Sequence, residues 1–388
     1  MSDKISIIEL LEGVEVEWKK LDDIVEFRRG SFPQPYGNSK WYDGEGSMPF
    51  VQVADVSDNG FYLNGDTKQK ISKLAQPKSI FVEAGTVIVT LQGTIGRVAI
   101  TQYDCYVDRT LAIFTNYKEN INKKYFAYQL KSKFDLEKKY ARGSTLKTIT
   151  KEEFSKFEIP IPPLHIQSEI VRILDNFTEL TTELTTELRA RKKQYSYYRD
   201  KLLTFEDEEV EFKPLGEMLH LKAGQHISAS KIMQEQSAEY RYPCFGGNGI
   251  RGYVTKNSHD GEHLFIGRQG ALCGNVQRMK GQFYATEHAV VVTVKENIDI
   301  DWAFHLLTIM NLNQYASQSA QPGLAVGNIN ALKIPVPSLE EQKYVAFILD
   351  KFDTLTNTIS DGLPKEIELR TKQYEYYRDL LLTFPKQD

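Results

Sequence analysis

Two stretches of the chain, KKQYSYYRDKLLTF at 192–205 and TKQYEYYRDLLLTF at 371–384, agree at 11 of the 13 positions that begin at Lys193 and Lys372. Chance does not produce that agreement, so any fold must accommodate two related halves. Upstream, FEIPIPPLHIQSEIVRILDNF (157–177) matches LKIPVPSLEEQKYVAFILDKF (332–352) at Ile159/Ile334, Pro160/Pro335, Pro162/Pro337, Gln167/Gln342, Asp175/Asp350 and Phe177/Phe352. The offset is 175 there and 179 at the YYRD end, so the second copy holds four extra residues near 361–364.

A long segment precedes each copy. The two open alike, VEVEWKKL (14–21) and EEVEFKPL (208–215), and each holds a Gln-Gly step, LQGTIGRV (91–98) and RQGALCGNV (268–276). Beyond that they scarcely resemble each other. Shared parts imply shared partners, and diverged parts imply different targets.

Gly, Pro and Asn punctuate 22–156 and 216–331, between short β-prone runs such as TVIVTL (86–91), YVDRTLAIF (106–114) and AVVVTV (289–294). These predict strands of compact α+β domains, with short helices at 123–140 and 301–316. After IPIPPL and IPVPSL, where helix cannot propagate, apolar spacing predicts long helices. The first carries residues 170, 174, 177, 180, 184 and 188, then Tyr195, Tyr198 and Leu202; the second runs through Leu349, Phe352, Leu355 and Ile359, breaks at Gly362 and Pro364, and resumes to Phe384. Two such amphipathic helices bury their stripes most simply as an antiparallel coiled coil. The expected architecture is therefore α+β: two globular domains separated by two long antiparallel helices forming a coiled-coil spacer, with a pseudo-twofold internal repeat. Its segments are an N-terminal linker or helix (1–21), a first domain (22–156), a central helical region (157–205), an acidic linker (206–215), a second domain (216–331) and a C-terminal helical region (332–388).

The first helix contains TELTTELTTEL (178–188), one four-residue phrase repeated nearly three times. Four helical residues add about 6 Å and turn about 400°, so the Leu180, Leu184, Leu188 stripe drifts by about 40° per unit. One base pair of B-DNA advances about 3.4 Å and twists about 35°. A unit inserted between two DNA-reading domains would shift them by one to two base pairs in translation and about one in rotation. The plainer reading is an amphipathic helix with leucine inward. Threonine is a poor helix former, however, and tandem identity points to a repeat of variable copy number.

Three isolated cysteines, Cys105, Cys244 and Cys273, argue against a disulfide framework or a zinc site and fit a reducing, cytoplasmic setting. The N-terminal apolar run is too short and too acidic for a signal peptide, and no stretch reaches membrane-spanning length. The net charge of −4 hides an uneven distribution, for residues 27–156 hold 20 basic and 13 acidic side chains (+7) and residues 218–333 hold 10 and 8 (+2). Basic domains between acidic linkers are compatible with nucleic acid. GNGIRG (247–252) fits G-x-G-x-x-G but lacks the flanking strand and helix, and reads as a glycine-rich loop. The chain has no Gly-Lys step for a P-loop, no Asn-Pro-Pro-aromatic methyltransferase signature and no Pro-Asp step of a common nuclease motif. His259 and His263 lie in turn-like NSHDGEH, a surface loop rather than a metal pair.

The repeated IPIPPL…QxxIVxILDxF…KQYxYYRDxLLTF, the GLPKEIELR segment (362–370), the TELT units and the two diverged domains together resemble the specificity subunit of type I restriction-modification systems, in the branch whose central helix carries four-residue repeats. The resemblance spans essentially the whole chain. It implies that each domain reads one half of a bipartite site on double-stranded DNA and that the helices set the spacer. It also implies docking of two methyltransferase subunits that use S-adenosylmethionine, joined by restriction/translocase subunits that use ATP and Mg. This chain itself is then non-catalytic, with no cofactor, metal or membrane association. The central copy, ELTTELRARKKQY, lacks the Gly-Leu-Pro-x-Glu-Ile of the second, which leaves the exact symmetry of the docking platform open. For DNA contact the candidates are Gln92, Thr94, Arg97, Arg142, Ser144, Thr145 and Lys147 in the first domain and Arg251, Arg268, Gln269, Gln321 and Asn328 in the second. Arg and Gln offer bidentate donors to guanine and adenine edges, whereas Ser, Thr and Lys more often hold phosphates. Tyr198 and Tyr377 fall on the apolar stripe and are expected to pack the helices. Tyr197, Arg199, Tyr376 and Arg378 fall off it and suit partner docking. Two rival readings remain: a purely structural coiled-coil adaptor, and the DNA-recognition part of a fused restriction-methylation enzyme.

Overall fold

A computed structural model of the chain describes residues 9–58, 60–140, 154–206, 210–247, 249–270, 272–317, 323–358 and 360–385. The chain forms two compact units, Met1–Glu183 with Glu368–Asp388, and Leu184–Ile367.

In the first unit, strand β1 (Glu17–Lys20) leads through the one-turn helix α1 (Leu21–Ile24) into β2 (Val25–Arg29), β3 (Met48–Val51), β4 (Gln69–Ile71), β5 (Ile80–Val82), β6 (Val87–Thr90), β7 (Val98–Ile100), β8 (Cys105–Val107) and β9 (Leu111–Tyr117). Helix α2 (Lys123–Tyr140) and strand β10 (Glu158–Ile161) follow, and β10 pairs antiparallel with β1. One sheet has the order β2-β9-β6-β7, the other β4-β3-β8-β5 with β3 and β8 parallel. β6 is buried on both faces, which is why its sequence is a continuous apolar run instead of an alternating one. Val87 and Val89 pack with Phe114, Phe126 and Phe134 of one cluster, Ile88 with Ile113 and Val107 of another.

Helix α3 (Leu164–Leu203) is 40 residues long, about 60 Å at 1.5 Å per residue. Its residues to Glu183 belong to the first unit and those from Leu184 to the second. The TELT repeats are helical throughout. Thr178, Thr181 and Thr182 each donate a side-chain hydrogen bond to the carbonyl four residues back, at 2.8–3.0 Å. This satisfies the hydroxyls within the helix and explains how so poor a helix former is carried. Leu180, Leu184 and Leu188 are half-buried and Glu179, Glu183 and Glu187 exposed, as an amphipathic stripe requires.

The second unit repeats the first. Strand β11 (Glu211–Pro214), α4 (Leu215–Met218), β12 (Leu219–Ala223), β13 (Tyr242–Gly246), β14 (Gly249–Val254), β15 (Glu262–Gly267), β16 (Val276–Lys280), β17 (Tyr284–Ala285) and β18 (Ala289–Val294) precede helix α5 (Ile300–Ile309), the short α6 (Val326–Asn330) and β19 (Lys333–Val336), which pairs with β11. Its sheets, β12-β18-β15-β16 and β14-β13-β17 with β13 and β17 parallel, reproduce the first unit's order strand for strand. Only β5 lacks a full counterpart, reduced to the bridge His259–Phe283. Of GNGIRG, Gly249–Gly252 open strand β14 and pair with β13, so most of the stretch is strand and not the loop expected of it.

Two expectations need adjustment. The run 106–114 is two strands around a turn at 108–110, because Asp108 and Thr110 hydrogen-bond each other across it. The helix expected at 301–316 ends at Ile309 and gives way to a 3₁₀ turn, Leu312–Tyr315, because Asn311 takes a left-handed conformation with φ 45°. The C-terminal helix breaks as predicted, into α7 (Leu339–Asn357) and α8 (Gly362–Leu382). Gly362 has φ 73°, and a Cβ there would lie 2.3 Å from the Thr354 carbonyl oxygen, so the break requires glycine. The four extra residues of the second copy, near 361–364, lie at this break and run into the first turn of α8.

The residues common to both copies are the joints between domain and helix. Gln167 of α3 is buried; its Oε1 accepts from Asn122 N at 2.9 Å and its Nε2 donates to the Pro162 carbonyl at 2.8 Å. Gln342 of α7 does the same, accepting from Asp299 N at 2.9 Å and donating to the Pro337 carbonyl at 2.9 Å. Asn122 and Asp299 in turn cap α2 and α5 with their side chains. Asp175 receives Lys124 Nζ at 2.7 Å and Tyr128 OH at 2.9 Å. Its counterpart Asp350 receives His305 Nε2 at 2.8 Å and the Arg278 guanidinium. Aromatic stacks complete each joint: Phe177 on Tyr377 with centroids 5.5 Å apart in the first unit, and Phe352 on Tyr198 at 5.7 Å in the second. Both tyrosines thus pack as their place on the stripe indicates.

Replacing Gln342 by Ala leaves the Asp299 N–H without its acceptor and should cost about 1–3 kcal/mol, read as a lower denaturant midpoint at unchanged slope; Gln342→Glu, which keeps an acceptor but loses the donor, should recover part of it. A second expectation concerns His305, whose side chain is fully buried beside Asp350. Burial is the largest influence and lowers its pKa below the ordinary 6.5, although Asp350 opposes it. The folded protein therefore holds the ring neutral while the unfolded chain takes up a proton near pH 6.5, so stability is full above that pH and falls as pH drops below it. Urea midpoints from pH 7.5 to 5.5 should show this decline, and His305→Asn should flatten it.

A candidate nucleic-acid interface at one corner of each domain

Hydrogen bonds place residues of the two domains in one-to-one correspondence. Asp108 N donates to the Val51 carbonyl at 3.0 Å and Thr286 N to the Phe245 carbonyl at 2.9 Å. Leu91 N meets the Thr110 carbonyl at 2.8 Å and Arg268 N the His288 carbonyl at 2.9 Å. Gly30 N bonds the Leu111 carbonyl at 3.1 Å and Gly224 N the Ala289 carbonyl at 3.0 Å. Three loops therefore meet at the same corner in each domain: the chain leaving β2 or β12, the β6–β7 or β15–β16 hairpin, and the turn before β9 or β18. A Cβ on Gly30 would lie 2.2 Å from the Val107 carbonyl oxygen and one on Gly224 2.3 Å from that of Thr286, so only glycine allows the loops to close. The Gln-Gly steps coincide, Gln92 with Gln269. Asp108-Arg109-Thr110 coincides with Thr286-Glu287-His288.

In the first domain Asp108 is the hub. Its carboxylate accepts from Thr110 N at 2.9 Å and from the Tyr36 hydroxyl. Burial and that carboxylate push the Tyr36 pKa upward, so the phenol stays protonated and donating. The exposed Arg109 lays its guanidinium over the Tyr36 ring, 4.9 Å from the centroid. Neither Tyr36 nor Arg109 is among the sequence candidates; the signal was the polar Asp-Arg-Thr triplet interrupting an apolar run. In the second domain His226 Nδ1 lies 3.0 Å from Glu287 Oε1, and His288 Nδ1 2.5 Å from Gln269 Oε1. Burial raises the Glu287 pKa, but the His226 hydrogen bond and His288 outweigh it and hold the carboxyl below its usual range.

The sequence candidates divide. Gln92, Thr94, Arg268 and Gln269 lie in the corner hairpins, with Thr94 and Gln269 exposed. Arg268 also donates to the Glu287 carbonyl at 3.4 Å, and its own carbonyl accepts from Leu324 N at 2.9 Å. Arg251, exposed on β14, folds over Gly246 near Thr286. Arg97 is committed inward, ion-paired with Asp58 and donating to the Val56 carbonyl at 3.3 Å, so it braces a loop. Asn328 is exposed on α6, beyond the segment that meets Arg268. Arg142, Ser144, Thr145, Lys147 and Gln321 lie outside the described residues.

On the helices, Tyr197 and Tyr376 are 60% and 62% exposed, two of the most exposed aromatics among the described residues. Arg199 and Arg378 each bond the following aspartate, Asp200 or Asp379, at 2.8 and 2.7 Å and approach the ring of Tyr195 or Tyr374. No group of three or more metal-ligating side chains occurs among the described residues, and no helix there is long and apolar enough to cross a membrane.

The model of the type I restriction modification DNA specificity domain matches residues 13–192 and 207–369. The chain is 49% identical over 377 residues to the specificity subunit of the type I restriction enzyme EcoprrI of Escherichia coli, covering 93% of each, and 33% identical to the EcoR124I/EcoR124II specificity subunit of the same species, covering 100% and 99%. Its fold is similar to the crystal structure of a type I S subunit from M. genitalium, with TM-score 0.61 at 17% identity over 97% of this chain and 98% of that one.

The corner depends on Asp108, so Asp108→Ala should cost the first domain about 1–3 kcal/mol and raise hydrogen exchange at Thr110 N, with exchange at its counterpart His288 N unchanged.

Proposed function

Because the chain belongs to the type I restriction-modification DNA specificity family, we propose that its two domains, 22–156 and 216–331, each read one half of a bipartite DNA site through the corner just described, and that its helices set the spacer between the halves. The chain is a DNA specificity subunit. The observation that carries the finer reading is the pair of superimposable corner frames with different side chains at their tips. One frame used twice suits one DNA geometry met twice, and different tips suit two different base sequences. The candidate DNA contacts retained in this reading are Gln92, Thr94, Arg251, Arg268, Gln269 and Asn328, with Gln321 close in sequence to Leu324, which meets Arg268, and with Arg142, Ser144, Thr145 and Lys147 between α2 and β10. Arg97 serves as a brace.

Tyr197 and Tyr376 stand at matching places in the two copies and face outward, which supports docking of two methyltransferase subunits, one per copy; Arg199 and Arg378 orient the neighbouring rings. Adenine methylation from S-adenosylmethionine, and cleavage driven by ATP with Mg, then belong to partner subunits. The uninterrupted helix through TELT supports the ruler.

Deletion of Thr182–Thr185 from the full complex should change the spacer of the methylated site by about one base pair, leaving both half-sites intact, as mapped by sequencing of methylated adenine. Altered half-sites at an unchanged spacer would refute the ruler.

A further inference from the structure

Within the shared frame, two positions behave oppositely. Arg28 of β2 faces Ile113 in register and Lys222 of β12 faces Val291, the corresponding place in the second domain. Both are exposed and both are basic. One residue beyond the buried hub of the turn, by contrast, the first domain places Arg109 and the second Glu287. A phosphate backbone is the same at every half-site, so a side chain that holds it has no reason to reverse its charge. Bases differ between half-sites, and a side chain that reads them must differ too.

We propose that this turn position is a specificity-determining contact in both domains: Arg109 reads a guanine in one half-site, and Glu287 accepts from the amino group of a cytosine in the other. Arg28 and Lys222 hold phosphate. The inference rests on the reading of the domains as DNA readers and adds to it a residue and a base. Arg109 is preorganised for the task. Its guanidinium carbon lies 4.9 Å from the Tyr36 ring centroid, Tyr36 donates to Asp108, and Asp108 is locked by Thr110. A guanidinium presents two parallel donors to the O6 and N7 acceptors of guanine. Glu287 Oε2 is shielded, and Oε1 holds His226 at 3.0 Å and His288 at 3.4 Å, so cytosine N4 is accepted at Oε1 in place of the exposed His226.

The experiment uses the chain assembled with its methyltransferase subunits and maps methylated adenines on a DNA library randomised in both half-sites. If the unaltered complex methylates no bipartite motif, the proposed function fails before the inference is tested. Given that motif, Arg109→Ala should relax a single guanine position in one half-site by roughly 10- to 100-fold in discrimination, and leave the other half-site untouched. Glu287→Gln should shift one position of the other half-site from cytosine toward adenine. Arg28→Ala should weaken methylation of all sequences alike and reduce the salt slope by about one. Arg109→Lys keeps the charge and guards against a folding defect: methylation retained with the guanine position relaxed supports base reading. Wild-type discrimination in Arg109→Lys, or uniform weakening without a change of motif in Arg109→Ala, overturns it.

Discussion

Each domain is held to its helix by one buried amide. Gln167 and Gln342 span the first turn of a long helix and the backbone N–H of the residue that caps the domain's own helix. A glutamine amide suits the place because it supplies an acceptor and a donor on opposite atoms, and both ends meet main-chain groups that no shift of side chains can replace. Buried main-chain groups without partners cost far more than a surface contact can return. The orientation of each domain on its helix is therefore set by a few hydrogen bonds, and the neighbouring Asp175 and Asp350 reinforce it with charge.

The corner frames follow a different economy. The frame common to both is main-chain: glycines where strands approach closely, and N–H to carbonyl bonds between three loops, to which the first domain adds the Asp108 carboxylate. Side chains at the tips are thus free to differ without disturbing the frame, which is how Asp108-Arg109-Thr110 and Thr286-Glu287-His288 occupy one fold. A scaffold built from the backbone tolerates changes of recognition that one built from side-chain packing would resist.

Much of this was legible in the residues. The repeat marked the helices and joints because duplicated Gln, Asp and Phe are the contacting groups, and runs such as TVIVTL stood out because both faces of that strand are buried. The Gly362 break was visible as glycine and proline inside an apolar period. What stayed hidden was how far the two domains agree, for their matching sheet order, β5 excepted, is written in hydrogen bonds and not in side chains. The corner contacts stayed hidden for the same reason, since Arg109 and Tyr36 are 73 residues apart in the chain and meet only once the sheet is folded. The pairing of Arg97 with Asp58 was not legible either, because a basic residue in a polar turn gives no sign of an aspartate 39 residues away in the chain.

The two-stranded necks have a consequence of another kind. The chain enters and leaves each domain on neighbouring antiparallel strands, β1 beside β10 and β11 beside β19. Both cut points of each globule therefore lie side by side, and the residues that flank them agree in part between the copies, VEVEWKKL with EEVEFKPL and IPIPPL with IPVPSL. A gene of this form offers matched crossover points at which whole readers can be traded between lineages in one event, so that new targets arise by inheritance of finished parts and not by gradual change within one.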